Sequence, residues 1–125
     1  MPIVNNTSLP KFDLSGLMHQ TLAGPEHGMK SLEVWGQVIE PGAGTPVHRH
    51  ICEEAIVILE GSGVCTINGE DLPFGANSTL IIPSDAVHQI RNTGDTKMVL
   101  VAALGMAPVR VRDGGGEPMG LPWQQ

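Results

Sequence analysis

His48 and His50, followed by Glu54 and, in a later segment, by His88, are the residues of this chain whose types and spacing could do chemistry. Three neutral imidazoles and one carboxylate form a donor set for a divalent ion. Side chains two residues apart share a face in an extended segment, so His48 and His50 point together while Arg49 points the other way. Glu54 follows across a short polar turn, where the apolar run of residues 55–59 begins. His88 belongs to residues 83–92, and if that stretch returns beside the first, four donors converge on one inward-facing point. A one-residue slip would turn Glu53 inward in place of Glu54, so local pattern alone leaves the two carboxylates as alternatives. Cys52 reads either as a sulfur donor in principle or as a small buried filler, the usual place of a free cysteine. His19 and His27 lie in turn-rich sequence and are expected in solvent.

The elements that must position these residues are short strands. Residues 31–39 alternate, with Leu32, Val34, Gly36 and Val38 on one face and Glu33, Trp35, Gln37 and Ile39 on the other. Residues 47–50 form a short strand carrying the first ligands, and residues 55–59 are a continuous apolar run closed by Gly61 and Gly63. Residues 64–67 followed by Asn68-Gly69 are the strongest hairpin signal, because both turn positions require positive φ. Residues 79–82, 88–92, 98–103 and 109–112 add four more strands. About eight strands with regular turn signals, and no long amphipathic helix, predict an all-β sandwich or barrel, with an antiparallel jelly roll the best fit. The chain is expected to be a single domain over residues 1–125, with an N-terminal arm (1–30) holding one edge strand, a barrel (31–112) and a C-terminal tail (113–125).

Composition narrows the function. Net charge is −6 with seven Lys and Arg and no basic cluster, which excludes a phosphate-tracking nucleic-acid surface. The longest wholly apolar run, residues 98–104, is far too short for a membrane span. Neither a basic-then-apolar leader nor an endoplasmic-reticulum retention tetrapeptide is present in the sequence, and the expectation is a cytoplasmic protein with two free thiols, Cys52 and Cys65. Aromatic residues make up only 3%, so a pocket must be walled by aliphatic side chains, with Trp35, Phe74 and Trp123 either lining it or filling core.

Gly42, His48, His50, Glu54 and Gly61 stand at the spacing of the first half of the cupin signature, and Pro83, His88 and Asn92 at that of the second. The chain therefore resembles the cupin family. It departs from the pattern at Asn77 and Asp85, where the family usually has Gly; both residue types tolerate left-handed backbone. Residues 48–63, HRHICEEAIVILEGSG, and 76–92, ANSTLIIPSDAVHQIRN, are similar to the corresponding stretches of plant auxin-binding proteins, themselves small cupins. The resemblance implies the cupin jelly-roll barrel, or double-stranded β-helix, with a metal centre and with Glu54 rather than Glu53 as the acidic ligand. Gln89 and Arg91 then point away from the site, and Asn92 ties down backbone at the strand end. Exposed edge strands of such a barrel imply a homodimer.

Four donors leave an octahedral ion (Zn, Fe, Mn or Ni) two open positions, unlike a closed structural zinc site. Two functions are implied. The leading expectation is a metal-dependent enzyme of oxygenase, isomerase or lyase type acting on a small oxygenated molecule, with the second function as its alternative. The other is a binding module in which the ion takes a carboxylate, as in an auxin-like ligand, and the barrel holds the apolar remainder. Catalytic residues beyond the ligands are not identifiable, and fold alone does not choose between the two.

Overall fold

The computed structural model of the chain describes residues 2–124. Among these it has twelve strands and no α-helix: β1 (Phe12–Leu14), β2 (Leu17–Ala23), β3 (Glu33–Ile39), β4 (His48–Arg49), β5 (Glu54–Glu60), β6 (Gly63–Ile67), β7 (Glu70–Phe74), β8 (Ser78–Ile82), β9 (His88–Arg91), β10 (Met98–Leu104), β11 (Val111–Asp113) and β12 (Pro118–Met119). They form two six-stranded sheets with only antiparallel pairs. The first has the order β1-β2-β3-β10-β5-β8 and the second β12-β11-β4-β9-β6-β7. Chain-distant strands lie side by side in both sheets, as in a jelly roll.

The inner faces follow from period-two alternation. On β3 the buried set is Glu33, Trp35, Gln37 and Ile39, so the face with polar members turns inward and the valines turn out. On β5 it is Glu54, Ile56 and Ile58, and on β10 Met98, Leu100, Ala102 and Leu104. Each fully buried Ile or Leu of this set contributes about 1.5–3 kcal/mol relative to exposure. Glu54 thus ends a row that is otherwise hydrophobic, which fixes the direction of its side chain.

Turn chemistry sets the registers. Asn68 (φ 49) and Gly69 (φ 84) make the tight β6–β7 hairpin that their types predict. Gly61 (φ 90) packs so closely that a Cβ would lie 2.7 Å from the Lys97 carbonyl oxygen. Asn77 (φ 62) and Asp85 (φ 61) both adopt the left-handed backbone expected of the glycines they replace. Asp85 also adds a tie: Arg49 Nε and Nη2 donate to its carboxylate at 3.0 and 3.1 Å, and its N–H donates to the His50 carbonyl at 2.8 Å. The turn before β9 is thereby tethered to the segment that carries the first histidines.

Three sequence expectations change. The arm supplies two strands rather than one, and β2 is an interior strand paired with both β1 and β3. Strand β7 is the partner that the Asn68-Gly69 hairpin requires, and it tolerates Pro73 because it lies at a sheet edge, where the missing donor is not needed. His19 is not solvated but fully buried, and His27 is largely covered, accepting a hydrogen bond from the Gly24 N–H at 3.1 Å. Cys52 and Cys65 are both free and buried.

Candidate metal centre

β4 pairs directly with β9, with His48 opposite His88, and β5 brings Glu54 in from the other sheet. His50 follows β4 and is 2% exposed; His88 is equally buried and Glu54 is 7% exposed. The four donor atoms of His48, His50, Glu54 and His88 lie within 4.8 Å of one another. Donors bound to one ion at ~2.1 Å stand about 3–4 Å apart, so the cluster needs only slight contraction. Glu53 is exposed, as the register of β5 requires. Arg49 and Gln89 face away from the cluster, hydrogen-bonded to Asp85 and to the Thr45 carbonyl.

Each histidine is oriented by its own backbone. Nδ1 of His48 donates to the Pro46 carbonyl at 2.7 Å, that of His50 to Cys52 at 2.9 Å, and that of His88 to Ala86 at 2.8 Å. A carbonyl only accepts, so each Nδ1 carries a proton and Nε2 is the atom that each ring can offer to a cation in its neutral form. His88 Nε2 is buried without a hydrogen-bond partner among the described residues. An orphaned buried nitrogen beside a carboxylate is the pattern expected where an ion belongs.

Burial and the charge of His88 hold His48 down to about 4, so this ring is neutral at physiological pH. For His50, burial lowers the pKa, but hydrogen bonds to Cys52 and Glu54 and the Glu54 charge outweigh it and push the ring up to about 10. Burial raises Glu54, but the hydrogen bond from His50 and the proximity of the His50 and His88 rings outweigh that and hold it down to about 2. Protein groups alone therefore pair an imidazolium with a carboxylate at 3.0 Å.

Above the cluster lies a cavity of about 210 Å³. His48, Glu54 and His88 form its floor; Trp35, Ile56, Ile90 and Leu100 are among its walls, and Leu121, Pro122 and Trp123 of the C-terminal tail close its rim. No Lys or Arg lines it. Sequence reasoning assigned no role at the site to Gln37, Thr45 or Leu14, which also face the cavity. Phe74 packs against the core instead. Glu33 is a further buried group: it accepts from Trp35 Nε1 at 2.9 Å and from the Val109 N–H at 2.8 Å, fixing one aromatic wall. Asn92 secures the end of β9 as expected, donating to the carbonyls of Ile39 at 2.8 Å and Thr96 at 2.9 Å.

A double-sheet jelly roll with a buried three-histidine, one-carboxylate cluster under its cavity defines a cupin. A predicted oxalate decarboxylase from Thermotoga maritima superposes with a TM-score of 0.73 at 25% identity, over 83% of this chain and 98% of that one. A polyketide cyclase of Streptomyces resistomycificus shares the fold at 23% identity and a TM-score of 0.74, over 91% and 85% of the two chains. Within the cupins, this chain belongs to the auxin-binding protein family, whose profile matches residues 1–112. It is 40% identical over 124 residues to auxin-binding protein 1 of Arabidopsis thaliana, covering 89% of this chain and 63% of that one. The chain thus spans less than two-thirds of that relative's length. No helix among the described residues is long and apolar enough to cross a membrane.

Proposed function

We propose that the protein is a single-domain binding module for a small carboxylate with an apolar body. In this reading His48, His50, Glu54 and His88 hold one divalent ion, which supplies the positive charge that takes the carboxylate. The observation that carries it is the cavity: aliphatic and indole walls, the donor cluster at the floor, and no cationic side chain to bind an anion in the ion's place. At about 210 Å³ it lies below the roughly 300–1,000 Å³ of drug-sized pockets, so the ligand is small. Family membership supports an auxin-like aryl acid. Titration calorimetry of an aryl acetate against metal-stripped and zinc-loaded protein tests this. Binding should need zinc and return when zinc is restored, and should be lost in His88→Ala; equal binding to both forms overturns the proposal.

A metal-dependent enzyme of oxygenase, isomerase or lyase type is the second reading. Four donors leave open positions on a six-coordinate ion facing the cavity, and likeness to a polyketide cyclase supports it. Against it, the titratable groups lining the cavity all belong to the cluster itself, leaving no separate acid or base. Metal analysis of untagged protein, then dioxygen uptake and product analysis with small acids and diketones, separates the readings: turnover favours the enzyme.

We further infer a homodimer in the cytoplasm. The outward positions of the central strands β3, β10 and β5 are Val34, Gly36, Val38, Val99, Val101, Ala103, Ala55, Val57 and Leu59, with no charge among them. Ile81 on β8 adds to this face at 66% exposure. A broad uncharged sheet face favours a self-complementary partner.

A further inference from the structure

The turn of residues 83–87 delivers His88 to the cluster, and it is held from two sides. On one side lies the segment of His48 and His50. Arg49 Nε and Nη2 donate to the Asp85 carboxylate at 3.0 and 3.1 Å, the Asp85 N–H donates to the His50 carbonyl at 2.8 Å, and Ser84 Oγ donates to the Ile51 carbonyl. On the other side lies the Asn68-Gly69 hairpin. Asn68 Oδ1 accepts from the Val87 N–H at 3.0 Å, and the Asn68 N–H donates to the Val87 carbonyl at 2.8 Å. Between the two anchored residues stands Ala86, whose carbonyl accepts from His88 Nδ1 at 2.8 Å. The direction of that carbonyl sets the rotation of the His88 ring. It thereby places Nε2, the buried nitrogen without a hydrogen-bond partner among the described residues. Arg49, Asn68 and Asp85 belong neither to the donor cluster nor to the cavity lining.

We infer that Asn68 and the Arg49–Asp85 pair are positioning residues that clamp the Ala86 carbonyl from both sides and so hold His88 Nε2 where a divalent ion needs it. The inference rests on the metal-binding reading above. The side chains of Arg49 and Asp85 are 29% and 51% exposed, so their pairing adds little to stability. What it fixes is a direction, and a ligand already ordered costs less to order when the ion binds. Removing a group bonded directly to a ligand costs about 10- to 100-fold in metal affinity. Each clamp acts beyond the Ala86 carbonyl, so each contributes less than that.

Asn68 (φ 49) and Asp85 (φ 61) both have left-handed backbone, so glycine keeps each turn with its backbone hydrogen bonds and removes only the side chain. Asn68→Gly and Asp85→Gly should each weaken zinc about three- to fivefold in competition with a chromophoric chelator, and together about tenfold. Asn68→Asp keeps an acceptor on a backbone it tolerates and should stay within about twofold of the unmodified protein. So should Asn77→Gly, a third left-handed position (φ 62), whose turn lies before β8. In zinc-stripped protein, NMR should show the His88 Nδ1 proton exchanging faster with water in the double glycine variant. The His50 Nδ1 proton, held by the Cys52 carbonyl, should be unchanged. A folded double variant that binds zinc within about twofold of the unmodified protein overturns the inference alone, provided that the unmodified protein binds zinc and His88→Ala does not. If the double variant does not fold, the two single variants decide on the same criterion. Weakened zinc binding with an unchanged His88 Nδ1 proton overturns the positioning role. An unmodified protein that binds no zinc overturns the metal-binding reading and this inference with it.

Discussion

Replacing Glu54 with Gln keeps the shape of the side chain and removes the only anion from the cluster. Glu54 is 7% exposed, with Oε1 3.0 Å from His50 Nε2 and 3.3 Å from His88 Nε2, so solvent cannot substitute for the lost charge. A divalent ion held by imidazoles alone would be uncompensated in surroundings of effective dielectric about 20, where charge interactions are several-fold stronger than in water. Loss of a group merely supporting a ligand costs about 10- to 100-fold in metal affinity. Loss of a direct donor should exceed about a hundredfold, equivalent to about 2.7 kcal/mol. Glu53→Gln is the control, because Glu53 is exposed on the outer side of the same backbone, and it should change affinity by less than about twofold. Competition against a chromophoric chelator at about pH 7.5, with melting followed in parallel, measures both. A larger loss in Glu53→Gln, or no loss in folded Glu54→Gln, refutes the assignment of Glu54 as the acidic ligand.

Zinc must displace the proton that Glu54 and Cys52 help His50 to hold, so apparent zinc affinity should climb about tenfold per pH unit between about 7 and 9 and flatten near 10; a flat profile refutes this coupling. For zinc-stripped protein the signs are opposite for the two partners. The raised His50 pKa stabilises fully below 6.5 and is lost as pH rises through about 10, whereas the lowered Glu54 pKa stabilises above 4.5 and is lost as pH falls through about 2. Burial also lowers His48 to about 4 and His19 to about 3, so their contribution falls as pH drops below 6.5, and denaturant midpoints of stripped protein should peak near 6.5. Light scattering should give twice the 13.2 kDa chain mass, falling to the monomer in Val57→Lys/Ile81→Lys; a monomeric unsubstituted protein refutes the dimer. Asn92→Ala should lower stability by about 3 kcal/mol in equilibrium unfolding, since a buried side chain that donates to Ile39 and Thr96 and accepts from the Gly94 N–H is removed; a loss under about 1 kcal/mol refutes that role.

Local pattern was enough for much of the architecture. β5, β6, β8 and β10 follow runs of β-branched and aliphatic residues closed by turn residues, and the Asn68-Gly69 hairpin follows from φ preference alone. One strand was hidden by composition: β2, whose Leu17–Ala23 sequence mixes polar and apolar residues. Its pairing partners, rather than its own propensity, make it a strand.

The shared direction of His48 and His50 was legible because strand periodicity acts over a few residues, whereas Glu54 was preferred to Glu53 only through the family spacing. Their meeting with His88 was not, because it depends on β4 pairing with β9 in one register and on β5 approaching from the opposite sheet. His19 is the clearest case of tertiary control. Its turn-rich neighbours suggest solvent, yet pairing of β2 with β3 sets it beside Gln37, and the C-terminal tail returns Trp123 onto its ring. Donor types and spacing belong to the sequence because they are short-range. Burial, tautomer and the cavity above the cluster belong to the tertiary structure, because each is made by contacts between segments far apart in the chain.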